Sequence, residues 1–207
     1  MDAREHWERV YARATSEAPS WYQETPVTSL ELIEEAALPH DAPILDAGGG
    51  DSTLVDHLLS RGYTEVAVLD VSRAALDRAR ARLGADATRV RWILGDVLHA
   101  TLAASSIALW HDRAAFHFLT GEADRAAYVE QLRRVLMPGG QVILATFAED
   151  GPDKCSGLPV ARYSMEALSA TLGDRFRLEE SRRAIHVTPQ HLEQPFVYGL
   201  FSLLPAG

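Results

Sequence analysis

A glycine-rich turn set between carboxylates is the stretch of this chain best suited to chemistry. Residues Pro43 to Ser52 read Pro-Ile-Leu-Asp-Ala-Gly-Gly-Gly-Asp-Ser, and Asp70 closes the next apolar run, Val66-Ala67-Val68-Leu69. Glycine lets backbone approach a ligand more closely than any residue with a Cβ allows. A carboxylate about 20 residues beyond such a turn is placed to accept both hydroxyls of a ribose. Between them, Leu54, Val55, Leu58 and Leu59 share one face at helical spacing and stop at Gly62. The order is strand, turn, helix, strand, carboxylate, and it predicts a site for a nucleoside-containing ligand.

The turn is wrong for a dinucleotide. A pyrophosphate site pairs Gly-x-Gly-x-x-Gly with a helix N-terminus. Here the pattern is Asp46-x-Gly48-x-Gly50-x-Ser52 with Asp51 inside it. Acidic residues repel phosphate and suit a ligand carrying an ammonium and a sulfonium. This turn resembles motif I of the class I S-adenosylmethionine-dependent methyltransferases, Asp/Glu-x-Gly-x-Gly-x-Gly, with Ser52 in place of the third glycine. Serine is small and a good helix N-cap.

Further motifs follow in the order the resemblance implies. Val90 to Leu94 reads as a strand running into Gly95-Asp96-Val97, where the family places an acidic residue that accepts from the adenine amino group. Ile107 to Trp110 is a fourth strand, ending in His111-Asp112-Arg113. Ala123 to Leu136 reads as a helix, then Met137-Pro138-Gly139-Gly140 as a helix stop and tight turn, then Val142 to Phe147 as a fifth strand. The resemblance implies an α/β, Rossmann-like, doubly wound seven-stranded sheet, order 3-2-1-4-5-7-6, with the last strand antiparallel. The last two strands are expected at Phe176 to Val187 and Phe196 to Leu204, joined by a hairpin connection from Thr188 to Pro195.

Composition sets limits. The 207 residues make one domain with a large core, and 47% hydrophobic with 24% charged residues is ordinary for a globular protein. Within it, residues 1–40 are read as an N-terminal lid and docking helix, 41–147 as the cofactor-binding core, and 148–207 as a substrate loop and C-terminal strands. A net charge of −9 argues against a nucleic-acid partner, because phosphate binding rests on Lys and Arg. Arg78, Arg80 and Arg82 are read as a solvated helix face. No apolar run reaches membrane-spanning length and no signal segment opens the chain, so a cytoplasmic protein with no membrane partner is expected. The single cysteine, Cys155, excludes an internal disulfide and a multi-thiolate metal site.

The N-terminal aromatic residues have two readings. Trp7 and Tyr11 share a helical face, and Trp21-Tyr22 follows a polar stretch from Ala14 to Pro19. They either plug the sheet edge or form a lid over the cofactor. The spacing resembles the N-terminus of small methyltransferases, protein-lysine methyltransferases included. Pro26 to Leu38 reads as an amphipathic helix docking on the sheet.

Methyl transfer is an in-line displacement, so its chemistry belongs at the strand ends, where open α/β sheets bind ligands. The family commonly has Asp or Asn facing the methyl group after strand four. Asp112 is therefore a candidate for the methyl-transfer centre, or else an acceptor for loop amides. His117, between Phe116 and Phe118, is a candidate base or a pocket-wall histidine. The Asp-Arg-x-x-Phe-His-Phe-Leu stretch also resembles a short run in thiopurine and tellurite methyltransferases, which favours a soft or heteroatom nucleophile.

The expected cofactor is S-adenosylmethionine, with S-adenosylhomocysteine as product. Its expected contacts are Trp7, Tyr11, Trp21, Tyr22, Asp46, Gly48, Gly50, Ser52, Asp70, Val71, Asp96, Val97 and Trp110. His111, Arg113, Arg162 and Tyr198 are the substrate-side candidates, Arg162 either reading a substrate carboxylate or holding its own loop. The expected partner is a small molecule with a sulfur, nitrogen or oxygen nucleophile. Alternatives are a protein lysine and a silent cofactor-binding or partner-regulating module.

Overall fold

The computed structural model describes residues 3–12 and 19–205. Most of the polar stretch expected to reverse the chain, 14–18, lies outside the described residues. Helix α1 (Ala3–Ala12) and helix α2 (Val27–Glu35) precede the first strand. The core then alternates: β1 (Ile44–Ala47), α3 (Leu54–Ser60), β2 (Val66–Asp70), α4 (Arg73–Leu83), β3 (Val90–Leu94), β4 (Ile107–Arg113), α5 (Glu122–Val135) and β5 (Leu136–Phe147). A two-strand clip, β6 (Lys154–Cys155) and β7 (Leu158–Pro159), interrupts the following loop. Helix α6 (Met165–Leu172), β8 (Phe176–Val187) and β9 (Glu193–Leu203) complete the fold.

The main sheet runs β3-β2-β1-β4-β5-β9-β8, with β9 antiparallel to both neighbours. Because β6 and β7 stand apart, this is the expected order 3-2-1-4-5-7-6. β1 and β2 are buried along their whole length, as parallel strands covered on both faces must be. Their side chains alternate between two cores. Leu45, Trp110 and Val142 pack toward α5 and α6, while Ile44, Leu109 and Ile143 pack toward α2 and α3.

Local chemistry sets the helix ends. Ser72 caps α4 by accepting from the Ala75 N–H at 3.2 Å, and Ser164 caps α6 by accepting from the Ala167 N–H at 3.1 Å. The expected helix from Pro26 to Leu38 stops earlier, since Ala37 adopts a left-handed φ of 50° and is exposed. The Pro138-Gly139-Gly140 run is a bulge rather than a tight turn. β5 begins at Leu136 beside Ile107, and pairing resumes only at Gln141 beside Leu109. Gly139, with φ 73°, turns the bulge. Among the described residues, no helix is long and apolar enough to cross a membrane.

Candidate cofactor and substrate site

The carboxyl ends of β1, β2, β3 and β4 open onto one pocket beneath α1. Its wall includes Gly48 from the first turn, Asp70 and Val71 from the end of β2, and Gly95, Asp96 and Val97 after β3. Arg113, Ala114, Ala115, Phe118 and Leu119 follow from the end of β4, and Cys155 from the clip. Trp7, Tyr11 and Trp21 complete it from the N-terminal segment.

The glycine turn shows why it needs glycine at two positions. Gly48 and Gly50 both have left-handed φ, 67° and 54°. A Cβ on Gly48 would run into the Cβ of Ala115, and one on Gly50 would run into the Tyr11 hydroxyl. Sequence reading missed what braces the turn. Arg82 donates to the carbonyls of Asp51 (2.6 Å) and Ser52 (2.7 Å) and pairs with Asp56 at 2.7 Å. Arg78 approaches Asp51 at 3.7 Å. These two arginines, one helical turn apart on α4, hold the turn rather than only facing solvent. Their spacing opposite Asp51 and Asp56 was the available signal.

Asp70 is 7% exposed, roofed by α1, and its Oδ1 accepts from the Ser72 N–H at 2.8 Å. Burial, opposed by backbone hydrogen bonds from Ser72 and Gly50 and reinforced by Asp46 and Asp51, lifts its carboxyl to about 7. Asp96 uses Oδ1 to accept from the Leu98 N–H at 2.7 Å.

The roof is aromatic. Trp7 packs against Tyr11, Trp21 and Phe118 at ring separations of 6.2, 5.7 and 5.1 Å, and Tyr11 meets Trp21 at 5.7 Å. Glu8 ties α1 down: its carboxylate accepts from Ser72 Oγ at 2.8 Å and from the Ala74 N–H at 3.3 Å. That places a negative charge at the α4 N-terminus, where the helix dipole favours it. Tyr22 is outside the pocket and 41% exposed.

Several expected site residues sit behind the pocket instead of in it. Asp46 is buried and bonds His111 Nδ1 at 2.7 Å, while His111 Nε2 meets Ser29 Oγ at 2.9 Å. This chain of bonds ties β1 and β4 to α2. Ser52 accepts from the Leu54 N–H at 3.2 Å and opens α3. Trp110 is buried in the α5-facing core and donates to the Tyr128 hydroxyl at 2.8 Å. Arg162 donates to the Gly151 carbonyl at 3.1 Å, holding its own loop.

Asp112 differs most from its expected place facing a methyl group. It is 0% exposed and off the pocket wall. Its Oδ1 accepts from the Ala115 and Phe116 N–H groups at 2.9 and 3.1 Å, and its Oδ2 accepts from the Tyr128 hydroxyl at 2.7 Å. Burial raises its carboxyl to about 6 against those bonds. Alternation along β4 explains this, since Asp112 shares the α5-facing side with Trp110. His117 is also fully enclosed, between Phe118 and Phe147 at 4.5 and 4.8 Å, with no hydrogen bond to either ring nitrogen among the described residues. Burial, with Arg113 nearby, drives it down to about 3, so it is neutral at ordinary pH.

Comparison with known proteins agrees with this architecture. Residues 44–140 match a family model described as a methyltransferase domain. The chain is 22% identical over 160 residues to the human EEF1A lysine methyltransferase 2, covering 70% of this chain and 68% of that protein. One solved structure, described for the conversion of a disulfide bond into a thioacetal group during echinomycin biosynthesis, superposes with a TM-score of 0.79. It is 20% identical and covers 98% of this chain and 94% of the other. The Burkholderia thailandensis 1,6-didemethyltoxoflavin-N1-methyltransferase, solved with 1,6-didemethyltoxoflavin and S-adenosylhomocysteine, gives a TM-score of 0.74 at 20% identity, covering 98% and 87%. At such identities the superpositions speak for the fold. The matched methyltransferase-domain model, the sheet order and the acidic glycine turn together support a class I S-adenosylmethionine-dependent methyltransferase.

Proposed function

We propose that the protein methylates a sulfur, nitrogen or oxygen atom of a small molecule held in the pocket under α1. The observation that carries this reading is the aromatic roof of Trp7, Tyr11, Trp21 and Phe118, which covers the strand ends and leaves a pocket suited to a compact ligand. The residues present fit the cofactor. The tight approach at Gly48 suits its methionine portion, Asp70 its ribose hydroxyls, and Asp96 with Val97 its adenine. When bound, S-adenosylmethionine supplies an already activated methyl group.

The protein's own part is then alignment and exclusion of water. Orientation alone is worth roughly 7–11 kcal/mol in a two-reactant step. The ionisable side chains on the pocket wall are Tyr11, Asp70, Asp96, Arg113 and Cys155. Asp112 and His117 lie behind it. This favours an acceptor that arrives in its reactive form, such as a thiolate or a neutral amine, over one that needs a strong base.

A second reading, methylation of a protein lysine, is favoured by the relative named for EEF1A lysine methylation. The test is release of S-adenosylhomocysteine from S-adenosylmethionine with small thiols, amines and phenols, against lysine-bearing proteins. Turnover with a small acceptor supports the first reading. Turnover confined to a protein substrate overturns it.

A further inference from the structure

We propose that the methyl acceptor carries a carboxylate and that Arg113 receives it. This rests on the methyl-transfer reading above and adds the acceptor's charge. Arg113 leaves β4 on the pocket wall, on the side facing β5 and β9, away from Asp70 and Asp96 on β2 and β3. Its Nε donates to the Tyr198 hydroxyl at 3.3 Å, and its Nη1 donates to the Trp21 carbonyl at 3.0 Å. Its guanidinium lies over the Phe196 ring at 5.3 Å. Neutral partners on β9 and at Trp21 therefore fix the side chain.

What the guanidinium lacks is a counter-charge. None of the ion pairs among the described residues includes Arg113, and its Nη2 is buried with no acceptor. The nearest carboxylate in sequence, Asp112, is spent on the Ala115 and Phe116 N–H groups and on Tyr128. The unneutralised charge is felt around it, where it adds to the depression of His117 and His186 and opposes the rise of Cys155. A half-buried cation with one enclosed nitrogen and no anion is costly, and a planar guanidinium held by its other nitrogens is preorganised for a carboxylate. The remaining wall here is apolar or weakly polar, from Trp21, Phe118 and Cys155. An acid with a small apolar body matches it.

The same chemistry has a second source, the methionine carboxylate of the cofactor, so the experiment separates the two. The full chain is saturated with S-adenosylhomocysteine and titrated with benzoate, phenylacetate and thiosalicylate, each beside its carboxamide. Quenching of the pocket tryptophans and calorimetry report binding. The expected result is that at least one acid binds about tenfold or more tighter than its amide. Arg113→Gln should erase that preference, Arg113→Lys should restore part of it, and S-adenosylhomocysteine affinity should stay within about twofold.

Equal binding of every acid and amide by the unsubstituted protein overturns the proposal. So does a preference that survives in Arg113→Gln. Weaker binding of S-adenosylhomocysteine by Arg113→Gln, with 5′-methylthioadenosine unaffected, assigns the guanidinium to the cofactor and also overturns it. If Arg113→Gln does not fold, the acid–amide comparison and Arg113→Lys still decide. Failure of the unsubstituted protein to bind S-adenosylhomocysteine is seen before any acid is added, and it marks failure of the methyl-transfer reading itself.

Discussion

The hydroxyl of Tyr11 rests directly on Gly50, in the space that a Cβ at that position would occupy. Helix α1 and the glycine turn are thus fitted to each other through one hydroxyl and one missing side chain. The same hydroxyl lies near Asp70, whose charge, after burial, pushes the phenol well above its ordinary value.

Gly50→Ala is expected to lower stability by about 1–2 kcal/mol from its left-handed backbone alone, with a further loss from the collision with Tyr11. Adding Tyr11→Phe should relieve only the second part. Urea titrations of the two single variants and the double variant check this. Strict additivity would show that α1 and the turn do not meet as described.

With Asp70 as the proposed ribose acceptor, cofactor binding should depend on pH. Ribose hydroxyls would donate to the ionised carboxylate, and burial lifts that group to about 7. Affinity for S-adenosylhomocysteine should therefore climb as pH rises from about 5.5 and level off above about 7.5. Stability of the free protein runs the other way. A carboxyl raised above its unfolded value stabilises the fold below that value and loses this contribution as pH rises to about 7. Calorimetry across this window, with Asp70→Asn as control, tests both limbs; a flat affinity profile in the unsubstituted protein removes Asp70 from the ribose.

His117→Leu should stabilise the protein more in acid than in base. The unfolded histidine gains a proton near 6.5, but the folded one holds out to about 3. Its contribution is thus present above 6.5 and lost as pH falls. Relative to the parent, the variant should gain about 2 kcal/mol more at pH 5 than at pH 8. Thermal melts read this directly. A variant with this stability profile but more than about tenfold slower methyl transfer would place His117 in the chemistry after all.

Tyr128→Phe strips the Trp110 indole N–H of its acceptor and Asp112 of a donor, at roughly 1–3 kcal/mol for each group left unpaired. Because the phenol favours the ionised carboxylate, the loss should be larger at pH 8 than at pH 5. Cofactor affinity should be unchanged. A stable variant that binds cofactor normally and fails to turn over would contradict the structural role of Asp112.

The alternating strands and helices were legible because parallel strands buried on both faces leave apolar runs, and glycine punctuates their ends. The glycine turn was legible because Gly48 and Gly50 do what few other residues can. The far side of the site was harder. Asp112 and Arg113 are neighbours in β4, yet one enters the α5 core and the other the pocket. Sequence type alone treats them alike, whereas the two-residue period anchored on Trp110 separates them. Pairings such as His111 with Asp46, or Arg113 with Tyr198, bring residues together from distant segments and leave no local trace. Cys155 reaches the pocket through a two-strand clip too short for any periodicity to mark.

The place of β9 between β5 and β8 has a consequence for how the chain is made. Every other internal strand of the sheet finds its neighbour as soon as β5 has emerged, but β5 and β8 must wait for Glu193–Leu203. Until then, the apolar stretch from Val142 to Phe147 presents an open edge ready to pair with another nascent chain. A ribosome stalled before β9 would release a half-closed sheet with its glycine turn already formed. For this sheet, supplying β9 and covering the β5 edge are one event.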